Sequence, residues 1–214
     1  MDSLIKLKLL YKLKEAGVEY FEGFNSKEQK VSMPNELKEL KNICEKCTLC
    51  DLGKTRNNVV FGEGNPNAEL MFIGEGPGEM EDKTGRPFVG RAGKLLTKII
   101  ENVLELKRED IYIANIVKCR PPNNRVPSIE EAESCKPYLI KQIEIINPKI
   151  LVCLGKTAFI YLMNENLPIS RVRGQIFEYK GKKVIPTYHP SFLLRNPSAK
   201  KDALQDFLLI KSML

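Results

Sequence analysis

The cysteines are the side chains whose spacing most directly predicts chemistry. The chain has six, at Cys44, Cys47, Cys50, Cys119, Cys135 and Cys153. A Cys-x-x-Cys spacing holds two thiolates within reach of one metal, but three cysteines at intervals of three leave the first pair ambiguous. Cys119 and Cys135 form a second pair, so a shared site would tie the N-terminal segment to the middle of the chain. From spacing alone, zinc is the default metal and an iron–sulfur cluster the alternative.

A glycine-rich stretch is the second candidate for chemistry. Leu70–Ile73 is predicted to be a buried strand. Gly74–Gly78 follows with three glycines and a proline, which cannot continue a strand and which let the backbone approach a ligand closely. An acidic cluster, a second glycine-rich segment at Gly85–Gly90 and a helical pattern from Arg91 come next. A strand, a long loop and a helix in this order place the loop at the carboxyl edge of a sheet, where open α/β folds bind ligands.

Polar residues also stand near the ends of other predicted strands. Asn115 lies near the end of a second buried strand, which runs into a proline-rich loop containing Asn124. The only histidine of the chain, His189, follows a β-rich segment and precedes Pro-Ser. Taken singly, such residues are usually structural: an asparagine that caps a loop, or a packed histidine.

The elements that position these residues alternate between strand and helix, which indicates a mostly parallel sheet covered on both faces. We predict one three-layer α/β/α domain over residues 37–214. Within it, Val59–Phe61 is predicted to be a small strand, and Ser128, with Glu131 three positions on, is predicted to cap a helix. Residues 1–36 are predicted to be an N-terminal extension, a basic amphipathic helix followed by a polar linker. Packing on the main domain is the first interpretation of this helix. Binding to DNA or to a protein partner such as a replication clamp is the alternative, although no standard clamp-binding peptide is recognisable.

The composition restricts the class of protein. The chain has 214 residues, of which 43% are hydrophobic and 29% charged, as is ordinary for a globular protein. Its net charge of +7 is explained either by solubility or by a polyanionic partner. No run reaches transmembrane length and no secretory signal is present, so we expect a cytoplasmic monomer in which cysteines bind metal rather than form disulfides. Abundant Lys, Glu and Ile are compatible with a thermophilic source.

Several motifs in a fixed order resemble one known family. They are Cys44–Cys47, Val60–Gly64, Gly74–Gly78, Gly85–Gly93, Asn115–Pro122, His189–Ser191 and Leu194–Arg195. From about residue 40 to the C-terminus, the chain resembles the family four uracil-DNA glycosylases, which are the iron–sulfur members of the uracil-DNA glycosylase superfamily. The resemblance does not cover residues 1–36.

This resemblance implies a reaction and a cofactor. The reaction is hydrolysis of the bond between uracil and deoxyribose in single- or double-stranded DNA, and the base must leave the stack before it is reached. Because no lysine Schiff base is needed, we expect a glycosylase without lyase activity. The resemblance also implies a structural four-iron, four-sulfur (4Fe–4S) cluster rather than zinc, bound by Cys44, Cys47, Cys119 and Cys135. Cys50 falls where the family need not have cysteine.

The resemblance further implies roles in recognition and catalysis. Asn115 would read the Watson–Crick edge of uracil, because an amide offers both a donor and an acceptor. Phe88 would stack on the flipped ring. His189 would donate a hydrogen bond to the uracil carbonyl oxygen as negative charge develops on the leaving base.

One position departs from the pattern of better-known relatives, which carry an aspartate where this chain has Gly76. Other residues must then position the attacking water. Glu75 is one candidate, and Asn124, which can orient water without acting as a base, is the other. Glu81 is a candidate for the wall that excludes the methyl group of thymine, with a solvated acidic loop as the alternative.

Two sets of residues are predicted to contact DNA. Leu193, Leu194 and Arg195 would fill the space of the flipped base, because an exposed apolar tip is typical of insertion between base pairs. The alternative for these three residues is a packed helix start. The predicted phosphate contacts are Lys118, Lys156, Thr157 and Ser191.

Two other functions remain open at this point. A related glycosylase that accepts hypoxanthine or xanthine would use the room left at Gly76. A non-enzymatic nucleic-acid-binding module with a structural metal would explain the basic charge and the cysteines. It would not explain why Glu75, Asn115 and His189 each stand at the end of a strand.

Overall fold

The computed structural model describes residues 33–214. The predicted N-terminal extension, residues 1–36, therefore lies outside the described residues except for its last four positions, and so does any partner-binding role of that segment. Within residues 33–214 no helix has the length and apolar character needed to cross a membrane.

One six-stranded sheet forms the centre of the described region. Its strands are β1 (Glu63–Gly64), β2 (Leu70–Gly74), β3 (Tyr112–Asn115), β4 (Ile150–Leu154), β5 (Phe177–Tyr179) and β6 (Lys182–Thr187). They lie in the order β1-β3-β2-β4-β6-β5. The four inner strands are parallel, and the edge strands β1 and β5 are antiparallel to their neighbours. The carboxyl ends of the inner strands therefore meet at one edge of a mostly parallel sheet, as predicted.

Helices alternate with these strands along the chain. They are α1 (Leu37–Glu45), α2 (Leu52–Thr55), α3 (Glu79–Thr84), α4 (Arg91–Asn102), α5 (Ile129–Ile146), α6 (Lys156–Met163), α7 (Ile169–Val172), α8 (Pro190–Arg195) and α9 (Lys200–Lys211). The predicted cap of α5 is confirmed, because Ser128 Oγ accepts a hydrogen bond from the Glu131 N–H group and the Glu131 carboxylate accepts one from Ser128 N–H.

Side chains that alternate along the strands enter two separate cores. On β2, Met71 and Ile73 pack with residues of α1, α2, α5, α6 and α7. Leu70 and Phe72 point to the other face and pack with residues of α4, α8 and α9. Because both faces of the sheet are covered, the predicted three-layer α/β/α architecture is confirmed.

Two local predictions were wrong. Residues 79–84 form helix α3 rather than loop. Its acidic first turn favours a helix N-terminus, and Gly85 ends it in the left-handed conformation with φ of 71°. The predicted small strand at Val59–Phe61 is not a strand, and the nearby Glu63–Gly64 pairs with β3 instead.

Candidate active site and cysteine site

A cavity of about 570 Å³ opens at the carboxyl edge of the sheet. Residues at the ends of β2, β3, β4 and β6 contribute to its wall. Parallel strands end at the same edge, which explains why residues far apart in sequence meet here. The predicted site residues that line the cavity are Glu75, Gly76, Glu81, Phe88, Asn115, Asn124, Lys156, Thr157, His189, Ser191 and Arg195.

Asn115 is the last residue of β3, and its side-chain amide is completely buried in the wall of this cavity. Neither Oδ1 nor Nδ2 has a hydrogen-bond partner among the described residues. An unpaired buried polar group destabilises a fold by about 1–3 kcal/mol, so its presence calls for a functional explanation. Gly74 on the neighbouring strand makes the room, because a Cβ at that position would overlap Asn115 Oδ1.

The ring of Phe88 forms a wall of the same cavity. Its centroid lies 5.7 Å from that of the His189 ring, with the two planes tilted by 37°. The backbone of Phe88 has a φ of 52°, which is unusual for a bulky residue. Gly93 permits this conformation, because a Cβ at Gly93 would overlap the Phe88 carbonyl. The loop backbone therefore determines where the ring lies.

His189 follows β6 directly and caps α8, and its ring is held through one nitrogen. The Ser191 N–H group donates to Nδ1 at 3.1 Å, and Ser191 Oγ lies 2.7 Å from the same atom. A backbone N–H group can only donate, so Nδ1 is the unprotonated nitrogen and the neutral ring carries its proton on Nε2. Burial, reinforced by the charge of Arg195, lowers the pKa of His189 to about 4. At neutral pH, Nε2–H is therefore the donor left for a ligand.

Glu81 is oriented by the start of α4. Its Oε1 atom accepts hydrogen bonds from the N–H groups of Val89 and Gly90, both at 2.8 Å. One carboxylate thereby fixes the loop that carries Phe88 while it also lines the cavity. The role of Glu81 as a wall against the thymine methyl group stays a prediction.

Asn124 lies in a short turn at the rim of the cavity and has a φ of 54°. Its Oδ1 atom accepts a hydrogen bond from Arg120 Nε at 2.8 Å, which leaves Nδ2 for a ligand. An amide Nδ2 group only donates, so it can hold the oxygen of a water molecule but cannot take its proton.

Gly76 lines the cavity next to Glu75, and the structure gives a steric reason for its missing side chain. A Cβ at this position would stand 2.7 Å from Val117 Cγ2. An aspartate here would require Val117 to move. The packing of Val117 beneath the loop therefore explains why position 76 carries no carboxylate. The nearest carboxylate along the chain is that of Glu75.

Two predicted DNA contacts were wrong. Lys118 is 1% exposed, and its ammonium group donates to Asn115 O at 2.8 Å and to Gln142 Oε1 at 2.6 Å, so it cannot reach a phosphate. Leu193 is also 1% exposed and packs in the core between the sheet and α4, α8 and α9, so it cannot insert into DNA. Leu194, by contrast, is 36% exposed and stays a candidate for insertion.

Sequence reasoning did not single out Tyr188, which also lines the cavity. Its ring stacks on Phe192 at 4.9 Å between centroids, and the Arg173 guanidinium lies 5.5 Å from the ring centroid. The sequence feature that could have identified it is its position between the end of β6 and His189, the only histidine of the chain.

The cysteines form a second site beneath the proline-rich loop. Five of them line one small cavity, namely Cys44, Cys47, Cys50, Cys119 and Cys135. The structure thus adds Cys50 to the four that the family resemblance implies, and both Cys44–Cys47 and Cys47–Cys50 have the Cys-x-x-Cys spacing. Within residues 33–214, no three Cys, His, Asp or Glu side chains are grouped closely enough to be recognised as a site for a single metal ion.

The surroundings of these thiols suit an anionic, thiolate-rich group. Arg56 places a guanidinium nitrogen 3.3 Å from Cys119 Sγ, and the backbone N–H of Lys118 donates to Cys135 Sγ at 3.3 Å. Burial raises the pKa of Cys44 and of Cys135 to about 12. Thiols so buried bind as thiolates only when a bound cation compensates their charge. The donor set of the cavity therefore fits an iron–sulfur cluster.

Comparison with known proteins finds several relatives that carry the name uracil-DNA glycosylase. The family model of the Uracil DNA glycosylase superfamily matches residues 61–209. A type-4 uracil-DNA glycosylase of Thermotoga maritima is 52% identical over 174 residues, covering 79% of this chain and 90% of that protein. A type-4 uracil-DNA glycosylase of Sulfurisphaera tokodaii is 49% identical over 187 residues, covering 84% and 85%. A type-5 uracil-DNA glycosylase of Pyrobaculum aerophilum is 29% identical over 145 residues, covering 60% and 63%.

Proposed function

The chain belongs to the uracil-DNA glycosylase superfamily, and on this premise we propose that it is a type-4 uracil-DNA glycosylase. It hydrolyses the bond between uracil and deoxyribose in DNA and leaves an abasic site for base excision repair. The observation that carries this proposal is the buried amide of Asn115, which has no partner among the described residues and lies in one cavity with Phe88 and His189.

Recognition of uracil follows from the two halves of that amide. The Watson–Crick edge of uracil presents a carbonyl acceptor at C4 and an N–H donor at N3, and Asn115 offers Nδ2 and Oδ1 to match them. Cytosine presents the reverse pattern at these positions and would leave both pairs mismatched. The base reaches the cavity only after it leaves the stack, and Phe88 then covers one face of the ring.

His189 stabilises the leaving base. Cleavage puts negative charge on uracil and positive charge on the sugar, and Nε2–H donates to the carbonyl oxygen at C2 as the charge develops. The Ser191 N–H group supports this role by holding Nδ1 as an acceptor. Loss of one such preorganised donor typically lowers a rate by on the order of 10²–10³.

Glu75 and Asn124 act on the water and the sugar. The Glu75 carboxylate stabilises the developing positive charge of the sugar, since it is the carboxylate next to the position where relatives carry an aspartate. Asn124 Nδ2 holds the water oxygen, because its Oδ1 is bonded to Arg120. Neither role requires a strong base when the sugar cation is itself reactive toward water.

DNA is held around the mouth of the cavity. The start of α6 brings Lys156 and Thr157 to the rim, where a cation, a hydroxyl and backbone N–H groups suit a phosphate. Ser191 and Arg195 line the same opening. Leu194, exposed at the end of α8, fills the space of the flipped base.

The cysteine site would hold a 4Fe–4S cluster, which would cross-link the segment around α1 to the middle of the domain. Cys47, Cys119 and Cys135 would supply three of its ligands, and the fourth would be Cys44, as the family resemblance implies, or Cys50, which lines the same cavity. When bound, the cluster supplies structural cross-linking through iron–thiolate bonds.

One experiment tests the function. Purified protein is incubated with single strands and duplexes that carry uracil, thymine, hypoxanthine or xanthine at one position, and abasic sites are then cleaved with alkali. We expect strand cleavage on uracil alone. The His189→Ala variant serves as a control that keeps duplex binding but loses most of the turnover. No product on any uracil substrate would overturn the proposal, and product on hypoxanthine would favour the broader base range instead.

A further inference from the structure

Lys118 is a buried cation that the mechanism does not use. It is 1% exposed, and in the described part of the chain its ammonium donates to two neutral oxygens, Asn115 O and Gln142 Oε1. No carboxylate pairs with it among the salt bridges of residues 33–214. Burial of an uncompensated charge is strongly unfavourable, so this position calls for an anionic neighbour.

The cysteine site supplies that neighbour. Lys118 lines the cysteine cavity, and its own backbone N–H group donates to Cys135 Sγ at 3.3 Å. In an oxidised 4Fe–4S cluster the four cysteine thiolates outweigh the net positive charge of the iron–sulfide core, so the loaded site is anionic. The buried ammonium and the loaded cluster therefore balance each other.

The same ammonium also holds the residue that reads the base. Lys118 Nζ lies 2.8 Å from the backbone carbonyl oxygen of Asn115. Gln142 completes the network by donating to Phe61 O at 2.8 Å and to Tyr112 Oη at 3.2 Å. The side chain of Asn115 has no hydrogen-bond partner within residues 33–214, so the position of its backbone decides where the amide points.

We propose that Lys118 is a positioning residue that couples the cysteine site to uracil recognition. The anionic cluster holds the ammonium in place, and the ammonium holds the main chain of Asn115. This inference rests on the proposed function of Asn115. Because coupling between two sites is reciprocal, a bound uracil must stabilise the cluster just as the cluster stabilises uracil binding.

The first experiment measures this reciprocity without catalysis. The iron-loaded protein is mixed with an iron chelator and with one of two duplexes, and loss of the visible absorbance of the cluster is followed. One duplex carries 2′-fluoro-deoxyuridine, whose fluorine disfavours the sugar cation and slows cleavage, and the other carries thymidine at the same position. We expect the uracil duplex to slow iron release by on the order of tenfold relative to the thymine duplex. Equal release rates would overturn the proposal.

Two variants locate the coupling. Lys118→Met keeps the length of the side chain but removes its charge and its donors, and we expect the two duplexes to protect its cluster equally. Arg56→Met is the matched control, because Arg56 also contacts a cysteine of the site but has no bond to Asn115. We expect faster iron release from this control with the preference for the uracil duplex intact. A full preference in Lys118→Met would overturn the proposal.

If Lys118→Met does not retain iron, Gln142→Leu takes its place, because it removes the other acceptor of the ammonium. A reduced preference for the uracil duplex is then expected, and an unchanged preference would overturn the coupling. Excision of uracil from an unmodified duplex is measured on the same wild-type preparation. Excision without uracil-specific protection of the cluster would refute the coupling and leave the proposed function intact.

Discussion

Lowering the pH should reduce the free energy of unfolding through the protonation of His189. The pKa of His189 lies at about 4 in the folded protein, against an ordinary value of 6.5. As the pH falls from 6.5 towards 4, His189 therefore becomes protonated in the unfolded chain but stays neutral in the folded protein. Protonation of His189 in the unfolded chain therefore lowers the free energy of unfolding. The effect is small above pH 6.5 and grows as the pH falls towards 4. Between about pH 8 and pH 5 the linkage amounts to about 2 kcal/mol of unfolding free energy.

The matched control is His189→Gln, whose amide keeps a donor near the position of Nε2 but does not titrate. Unfolding free energies are measured in guanidinium chloride for both proteins at both pH values, so that acid effects on other groups cancel in the difference. We expect wild type to lose about 2 kcal/mol more than His189→Gln. An equal loss in the two proteins would refute the assignment of a partly buried, neutral imidazole.

The same assignment fixes the expected kinetics. His189→Ala removes the Nε2–H donor and should lower single-turnover excision by on the order of 10²–10³, which corresponds to about 2.7–4 kcal/mol of transition-state stabilisation. His189→Gln should retain part of that rate, and duplex binding should change little in either variant. The wild-type rate should show no titration of His189 above about pH 5. A rate that rises as the pH falls through 6.5 would show that the protonated ring is the active form.

Three further outcomes are expected. Asn115→Leu should raise the unfolding free energy by about 1–3 kcal/mol, because it removes a buried amide that has no partner within residues 33–214. The same variant should lose uracil excision, and lower stability in a urea melt would contradict the prediction. Gly74→Ala should reduce excision strongly, because its Cβ would overlap Asn115 Oδ1 and stand 2.7 Å from the Phe88 ring, and normal activity would show that the wall is adaptable. The iron content of Cys44→Ser and Cys50→Ser should show which of the two cysteines is the fourth ligand, because only the variant that lacks that ligand should lose iron. Full iron content in both variants would mean that either cysteine can replace the other.

The sequence by itself indicated that polar residues near the ends of strands share one edge of the sheet. Asn115 ends one inner strand of an alternating strand–helix pattern and His189 comes after another, and parallel strands of such a fold end at one edge. The pattern therefore implied that these side chains are neighbours, although they are 74 positions apart in the numbering. The cysteine spacing likewise implied a shared site, because Cys-x-x-Cys and a later pair are a ligand arrangement in their own right.

Only the tertiary structure decided the direction and environment of individual side chains. Lys118 is a lysine in a basic chain, and its sequence context gives no sign that it turns inward to the Asn115 carbonyl and the cysteine site. Leu193 and Leu194 are identical neighbours, yet one packs in the core and the other is exposed. The physical reason is that strand order follows from local patterns repeated along the chain. The burial of one side chain depends instead on which distant elements pack against it, and the free energy of its charge depends on which groups those elements bring near.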